Sequence, residues 1–284
     1  MKQRDQKREF PFSDDDFLTL SDMIHQKTGI VLKNHKKDMV YGRLSRRLRK
    51  LGIQSFSDYL LFLSSEKGEA EVGSLINAIT TNLTRFFREP HHFVHLSEKA
   101  LPEILENIKT GRQDRLRIWS AGCSSGEEPY SIAMALEEAL VAHDMLGIDA
   151  RILATDLDTN MLQRGRNGDY LKNHFDNLPE KYKIFIKQAE DREDCYHVLD
   201  DLRRYIAFKQ LNLLSEWPMK GLFDVIFCRN VMIYFDNDDK IQLTQRLINQ
   251  LRPGGFLMIG HSETILNNID GLELIGRTIY RKKQ

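Results

Sequence analysis

Apolar residues recur at three- and four-residue spacing over the first 80 positions. From Arg115 onward they gather into short runs separated by helical patterns. Ser13 followed by Asp16 resembles a helix start, and Phe17, Leu20, Met23 and Ile24 give one apolar stripe that Gly29 ends. A second helix is predicted from Lys36 to Leu51, with Val40, Leu44, Leu48 and Leu51 aligned and Gly52 as its stop. Phe56–Leu63 and Val72–Ile79 supply two shorter amphipathic pieces. Residues 1 to 12 are polar and are expected to fray. An all-helical domain over 12–80 follows, then a connecting segment with a linker helix (Leu96–Ile108) over 81–111.

Over 112–284 the period changes. Strands are predicted at Arg115–Ala121, Ala150–Thr155, Tyr205–Phe208, Phe223–Cys228, Phe256–Ile259 and Ile275–Tyr280. Helices are predicted after Gly126, over Thr159–Gly165 and over Asp239–Leu251. Such alternation with short links implies an α/β domain with a parallel-type sheet. Between Asn173 and Arg204 the alternation breaks in a charged segment too long for a plain loop. An inserted subdomain at about 179–208 is expected there, its strands Tyr196–Leu199 and Tyr205–Phe208 joined by the charged turn Asp200–Arg204.

Charge enters only locally, because 41 lysines and arginines balance 41 acids. Between Lys33 and Lys50 stand eight basic residues against one acid, Asp38. Arg43, Arg46, Arg47 and Lys50 fall near one helix face with Lys36, which reads either as a solvated face or as a docking surface for an acidic partner. Recognition-helix motifs and interleaved aromatics are missing, so nucleic acid is not expected. No apolar run reaches the roughly 20 residues of a membrane span, and MKQRDQKREF does not open a secretory signal. Three scattered cysteines fit a reducing cytoplasm. His91, His92 and His95 lack the glutamate of an HExxH motif, so no metal is expected.

The chemistry points to RLRIWSAGCSSGEEPY, Arg115 to Tyr130: a buried strand, a loop with two glycines, and a helix start. Glycine would let the backbone approach a ligand closely. Glu127 and Glu128 occupy the first turn where a pyrophosphate would sit, so a cation suits the loop better than a phosphate. In an open α/β sheet ligands bind beyond the carboxyl ends of the strands. This loop, Asp156, Asn212 and the Arg229-Asn230 pair all fall at such ends. Asp156 is where a ribose diol would be held; Asp158 is its competitor, and a helix cap is the structural alternative.

TTNLTRFFRE, WSAGCSSGEEPYSIA, ATDLD, NLL, FCRNVMIYF and GHSE, with HKKDMVYGRLSRRLRK near the start, resemble in order and spacing the chemotaxis receptor methyltransferases of the CheR family. The resemblance implies a helical domain followed by a Rossmann-like methyltransferase domain with a small β insertion. It implies S-adenosylmethionine as cofactor, S-adenosylhomocysteine as product, and glutamates of membrane chemotaxis receptors as acceptors. Matched residue by residue, it gives Asn82, Thr84, Arg88, Glu128, Asp156, Asn212, Leu213, Arg229 and Asn230 as cofactor-binding, with Glu127 less securely placed. Arg88 and Tyr234 become the catalytic pair, orienting the acceptor carboxylate. The basic helix becomes the surface for the receptor's methylation helices, and the insertion the place where some relatives grip a C-terminal peptide of the receptor. Gly122-Cys123-Ser124-Ser125 departs from the alanine, serine or threonine that relatives often carry, a small-for-small change. Three other readings compete: methyl transfer to a different acidic protein, a non-catalytic S-adenosylmethionine sensor, and a nicotinamide oxidoreductase. The doubled glutamate argues against the last.

Overall fold

The computed structural model describes residues 8–265 and 270–284, which group into two compact units. The helical unit runs to Thr81 and also takes in Tyr234–Asp236; the second unit holds the rest.

In the helical unit α1 (Asp14–Thr28) opens on a capping box. The Ser13 hydroxyl accepts from the Asp16 amide at 2.9 Å, and the Asp16 carboxylate accepts from the Ser13 amide at 2.9 Å. Gly29 ends the helix in the left-handed region at φ 75°. α2 (Lys37–Leu51), α3 (Phe56–Leu63) and α4 (Glu69–Ile79) follow. Their apolar stripes, including Leu20, Val40, Leu44, Leu48, Tyr59 and Leu75, are fully buried together. The expected fraying of residues 1–12 falls partly outside the described residues, and where it is described it is wrong. Phe10 and Phe12 are buried, Phe12 stacks on Phe56 at 4.0 Å, and the Pro11 carbonyl accepts from the Phe56 amide.

The second unit begins with α5 (Pro90–His95), which continues through a wide π turn into α6 (Leu101–Lys109). Then come β1 (Arg115–Ala121), α7 (Glu127–Ala142), β2 (Asp149–Asp156) and α8 (Thr159–Asn167). A small insertion carries β3 (Asp169–Leu171), β4 (Ile186–Gln188) and β5 (Cys195–Val198). It is followed by α9 (Asp200–Arg203), β6 (Ile206–Gln210), β7 (Phe223–Cys228), α10 (Asn237–Gln250), β8 (Leu251–Ile259), β9 (Leu272–Gly276) and β10 (Ile279–Lys282).

The main sheet has the order β6-β2-β1-β7-β8-β10-β9; pairs from β6 to β8 are parallel and the last two antiparallel. β1 lies inside the parallel part, and its Leu116, Ile118 and Trp119 are fully buried. Two strand readings need correction. Tyr205–Phe208 is not a partner of Tyr196–Leu199: β6 joins the main sheet beside β2, and β5 pairs with β3 and β4. The supposed turn Asp200–Arg204 is instead α9, which buries Leu202, so the inserted sheet spans 169–198 rather than 179–208. Ile275–Tyr280 is not one strand either. Thr278 takes φ 55°, and the chain turns there between β9 and β10.

Candidate active site

At the carboxyl end of β1 the chain crosses over the end of β2. The amides of Gly122 and Cys123 both donate to the Thr155 carbonyl at 2.8 Å, and the Ser124 amide donates to Asp156 Oδ2 at 2.7 Å. Gly122 (φ 80°) and Gly126 (φ 100°) supply conformations that side chains resist. The place a side chain would take at each is already filled from within the unit. A Cβ on Gly122 would meet Val231 Cγ2 at 2.3 Å, and one on Gly126 would meet the Gly165 Cα and the Tyr170 hydroxyl at 2.8 Å. Both glycines serve internal packing.

Asp156 stands half-buried at the tip of β2, with Oδ1 accepting from the Asp158 amide at 2.8 Å. Burial pushes its carboxyl up to about 6 against the pull of these backbone donors. Asp158 is the helix cap: its Oδ1 accepts from the amides of Asn160 and Met161 at the start of α8, and Oδ2 accepts from Asn82 Nδ2 at 2.8 Å. The Asn82 carbonyl takes the Ser124 hydroxyl at 2.9 Å. Asn82 is therefore tied to both loops, and Thr84 lies half-buried two residues on.

The two acids of the first turn of α7 part company. Glu127 is fully buried, accepting from the Ser125 hydroxyl at 2.7 Å and pairing with His174 Nδ1 of the insertion at 3.1 Å. Glu128 accepts from the Ser120 hydroxyl at 2.7 Å and from Arg229 Nη1 at 2.9 Å. Burial raises the Glu128 carboxyl, and Arg229 opposes the rise. The acidic loop is thus already answered by a histidine and an arginine, which weakens the sequence's case for a free cation there.

Arg229 binds these parts together. Its side chain is 2% exposed; besides Glu128 it donates to the Arg88 carbonyl and lies 3.4 Å from Glu89 Oε2. Arg88 in turn donates from Nη1 to the Leu83 carbonyl at 2.8 Å. Asn230, at φ 58°, is held by Glu263, whose Oε2 accepts from the amides of Asn230 and Gly260 at 2.8 and 2.6 Å. At the end of β6, Asn212 Oδ1 accepts from the Leu214 amide, and the Leu213 carbonyl accepts from Trp217 Nε1 and Arg246 Nη1.

This set of strand ends coincides with a family match. Residues 82–281 match the family model described as CheR methyltransferase, SAM binding domain, and residues 15–80 match the CheR all-alpha domain. The chain belongs to the CheR methyltransferase family. It is 41% identical to the chemotaxis protein methyltransferase of Salmonella typhimurium, over 94% of this chain and 90% of that one. It is 41% identical to that of Borreliella burgdorferi, over 94% of each. To chemotaxis protein methyltransferase 2 of Pseudomonas aeruginosa it is 40% identical, over 96% and 95%.

As a CheR methyltransferase the chain is an enzyme that uses S-adenosylmethionine, and the donor set fits that cofactor. A vicinal diol presents two hydroxyl donors, and Asp156 places a carboxylate acceptor at a strand end. Arg229 fits less directly, because both terminal nitrogens of its guanidinium engage Glu128, Glu89 and the Arg88 carbonyl, leaving Nε as its one buried donor without a partner. Glu89 and Glu263 were missed in the sequence as organisers of this CheR site, and Asp158, named there as the competitor of Asp156, serves as the cap of α8. GHSE held the signal for Glu263, three residues after the Gly260 it binds. Glu89, His91 and His92 bring ligand-type atoms within 4.8 Å of one another, with Arg229 already beside the carboxylate.

Tyr234 groups with the helical unit: its carbonyl accepts from the Val31 amide at 2.9 Å, and its hydroxyl lies 3.4 Å from the Thr81 carbonyl. Two of the four basic docking residues also have other work. Arg43 donates from Nη1 to the carbonyls of Ile79 and Thr80 at 2.6 and 2.7 Å, capping α4. Arg47 forks onto Glu71, which is 6% exposed and also accepts from the Tyr59 hydroxyl. Only Arg46 and Lys50 stand exposed. Helical spacing placed all four near one face but could not tell a cap or a buried ion pair from a free cation.

Proposed function

We propose that this CheR methyltransferase transfers a methyl group to glutamate side chains of chemotaxis receptors in the cytoplasm, giving glutamate methyl esters and S-adenosylhomocysteine. The observation that carries the reading is Arg88. Its backbone is anchored by buried Arg229 and its Nη1 by the Leu83 carbonyl, yet its side chain makes no ion pair with an acid among the described residues. A guanidinium held beside strand ends and not neutralised from within suits an incoming carboxylate, which it can bind by charge-assisted hydrogen bonds. The relatives' shared name, chemotaxis protein methyltransferase, supports the receptor as acceptor.

S-adenosylmethionine, when bound, supplies a methyl group already activated by its sulfonium. Asn82, Thr84, Glu128, Asp156, Asn212, Leu213, Arg229 and Asn230 would hold it, Asp156 at the diol and Arg229 through the segments it fastens. The acceptor carboxylate is ionised at neutral pH, so no general base is required of the chain. What the residues contribute is alignment, which turns an encounter into an effectively unimolecular step. Arg88 fixes the carboxylate; a catalytic part for Tyr234 rests on the family resemblance alone. Arg46 and Lys50 would meet acidic receptor helices.

The test is labelled methyl transfer onto the cytoplasmic fragments of the organism's own receptors, read as base-labile ester. Arg88→Ala should lower the single-turnover rate at saturating cofactor by at least a hundredfold while leaving cofactor affinity within a few fold. A wild-type rate in Arg88→Ala would overturn the assignment.

A further inference from the structure

From Asn82 to Phe86 the chain is neither helix nor paired strand, and burial alternates along it. Asn82, Thr84 and Phe86 turn inward; Leu83 and Arg85 turn out. Leu83 is 82% exposed, the highest of the large exposed apolar residues among those described. A lone surface leucine needs no explanation. This one differs because its backbone is fixed on both sides: Asn82 is tied to Ser124 and Asp158, and the Leu83 carbonyl accepts from Arg88. Water would be the expected neighbour of a loose polar loop, not of a fixed aliphatic side chain.

Arg85 is exposed and forms no ion pair among the described residues. It lines a groove of about 450 Å³ with Phe87, Pro90, Val94, Pro179 and Tyr182. The floor is apolar, with Phe87 and Tyr182 stacked at 4.7 Å, and Val94 is 51% exposed. Glu98 is the one acid in the lining, while the lining's other cation, Lys181, is already paired with Glu138.

Resting on the glutamate-transfer reading, we propose that Leu83, Arg85 and this groove form the acceptor-docking strip of the second unit, and that its occupant is an acidic amphipathic helix of the substrate protein. An amphipathic helix lays aliphatic side chains into an apolar groove and keeps its charges at the rim. Arg85 would take a carboxylate at that rim, and Leu83 would pack against an apolar side chain near the glutamate that Arg88 holds. The occupant is assigned by charge and by continuity: a free cation and two apolar features, joined along five residues to the arginine that orients the reacting group.

The experiment compares wild type, Leu83→Ser, Arg85→Glu and Val94→Asp, using the cytoplasmic fragment of a chemoreceptor from the same organism as acceptor. Acceptor KM should rise tenfold or more in Arg85→Glu and at least fivefold in the other two. Rate at saturating acceptor, calorimetric cofactor affinity and thermal midpoint should stay near wild type. Acceptor KM within twofold of wild type in all three variants overturns the strip while leaving glutamate transfer intact. Loss of cofactor affinity in step with KM also overturns it, because these residues would then belong to the pocket. A wild-type enzyme that transfers nothing to the fragment removes the underlying reading and the strip with it.

Discussion

Asp156 is a carboxylate with a conflict built into it: burial favours its neutral form, and the backbone amides of Asp158, Ser124 and Leu157 favour the charged one. Its folded pKa of about 6 lies above the usual carboxylate value, so any stability it contributes is present in acid and is lost as pH rises through 6. In the proposed pocket cofactor binding runs the other way, since the ionised group is the stronger acceptor for two diol hydroxyls. Affinity for S-adenosylmethionine should therefore weaken as pH falls below 6, and the Asp156→Asn variant should bind at least tenfold more weakly at pH 7.5 with a flat profile. Losing an interaction with a charged acceptor costs about 1.5–3 kcal/mol; calorimetry from pH 5 to 8 checks both statements. Arg47 makes a different prediction. Removing one partner of a largely buried ion pair costs about 3–5 kcal/mol, so Arg47→Ala should lower the unfolding midpoint clearly. Arg46→Ala, one position away and exposed, should leave it unchanged.

The elements show what periodicity can and cannot deliver. Caps and stripes placed α1, α2 and α3 within about two residues, the usual tolerance at helix ends, because Ser13, Gly29 and Gly52 act locally. The strand ends bearing Asp156 and Arg229-Asn230 were equally readable, since the apolar runs of β2 and β7 stop at polar residues. Pairing partners were not. β6 bonds to a strand about fifty residues earlier, and nothing local in Tyr205–Phe208 chooses β2 over β5. The same limit hid the roles of Arg43 and Arg47, whose partners in or beside α4 lie 24 or more residues away. In the insertion the sheet order β3-β5-β4 leaves β4 as an edge, with Lys187 and Gln188 exposed. An edge strand offers unpaired backbone groups to an added peptide. Lys187 lies in a hydrogen-bonded pair with His197, so the backbone of Gln188 faces the open side. Should the receptor's C-terminal peptide dock there, Gln188→Pro would abolish binding of that peptide in titration calorimetry and leave single-turnover rates alone.

For the whole molecule, net charge is zero, so electrostatic attraction to an acidic receptor must come from local faces. Arg46 and Lys50 on α2 and Arg85 on the second unit are exposed, and exposed charges are screened over a Debye length of about 8 Å at physiological salt. Acceptor KM should rise with ionic strength, and the Arg46→Glu/Lys50→Glu variant should lose most of that dependence; a salt profile matching wild type would return α2 to a solvated face. The Arg229 knot has a consequence for how the enzyme is made. Arg229 follows Arg88 by 141 residues, so on the ribosome the segment bearing Arg88 emerges long before the guanidinium that fastens it. Translation at about 5–20 residues per second leaves an interval of roughly 7–28 s. Throughout that interval the nascent chain carries Arg88, the arginine proposed to orient the acceptor, with its carbonyl not yet held by Arg229. A truncated product ending before β7 would be born inert, however well its helical unit had folded.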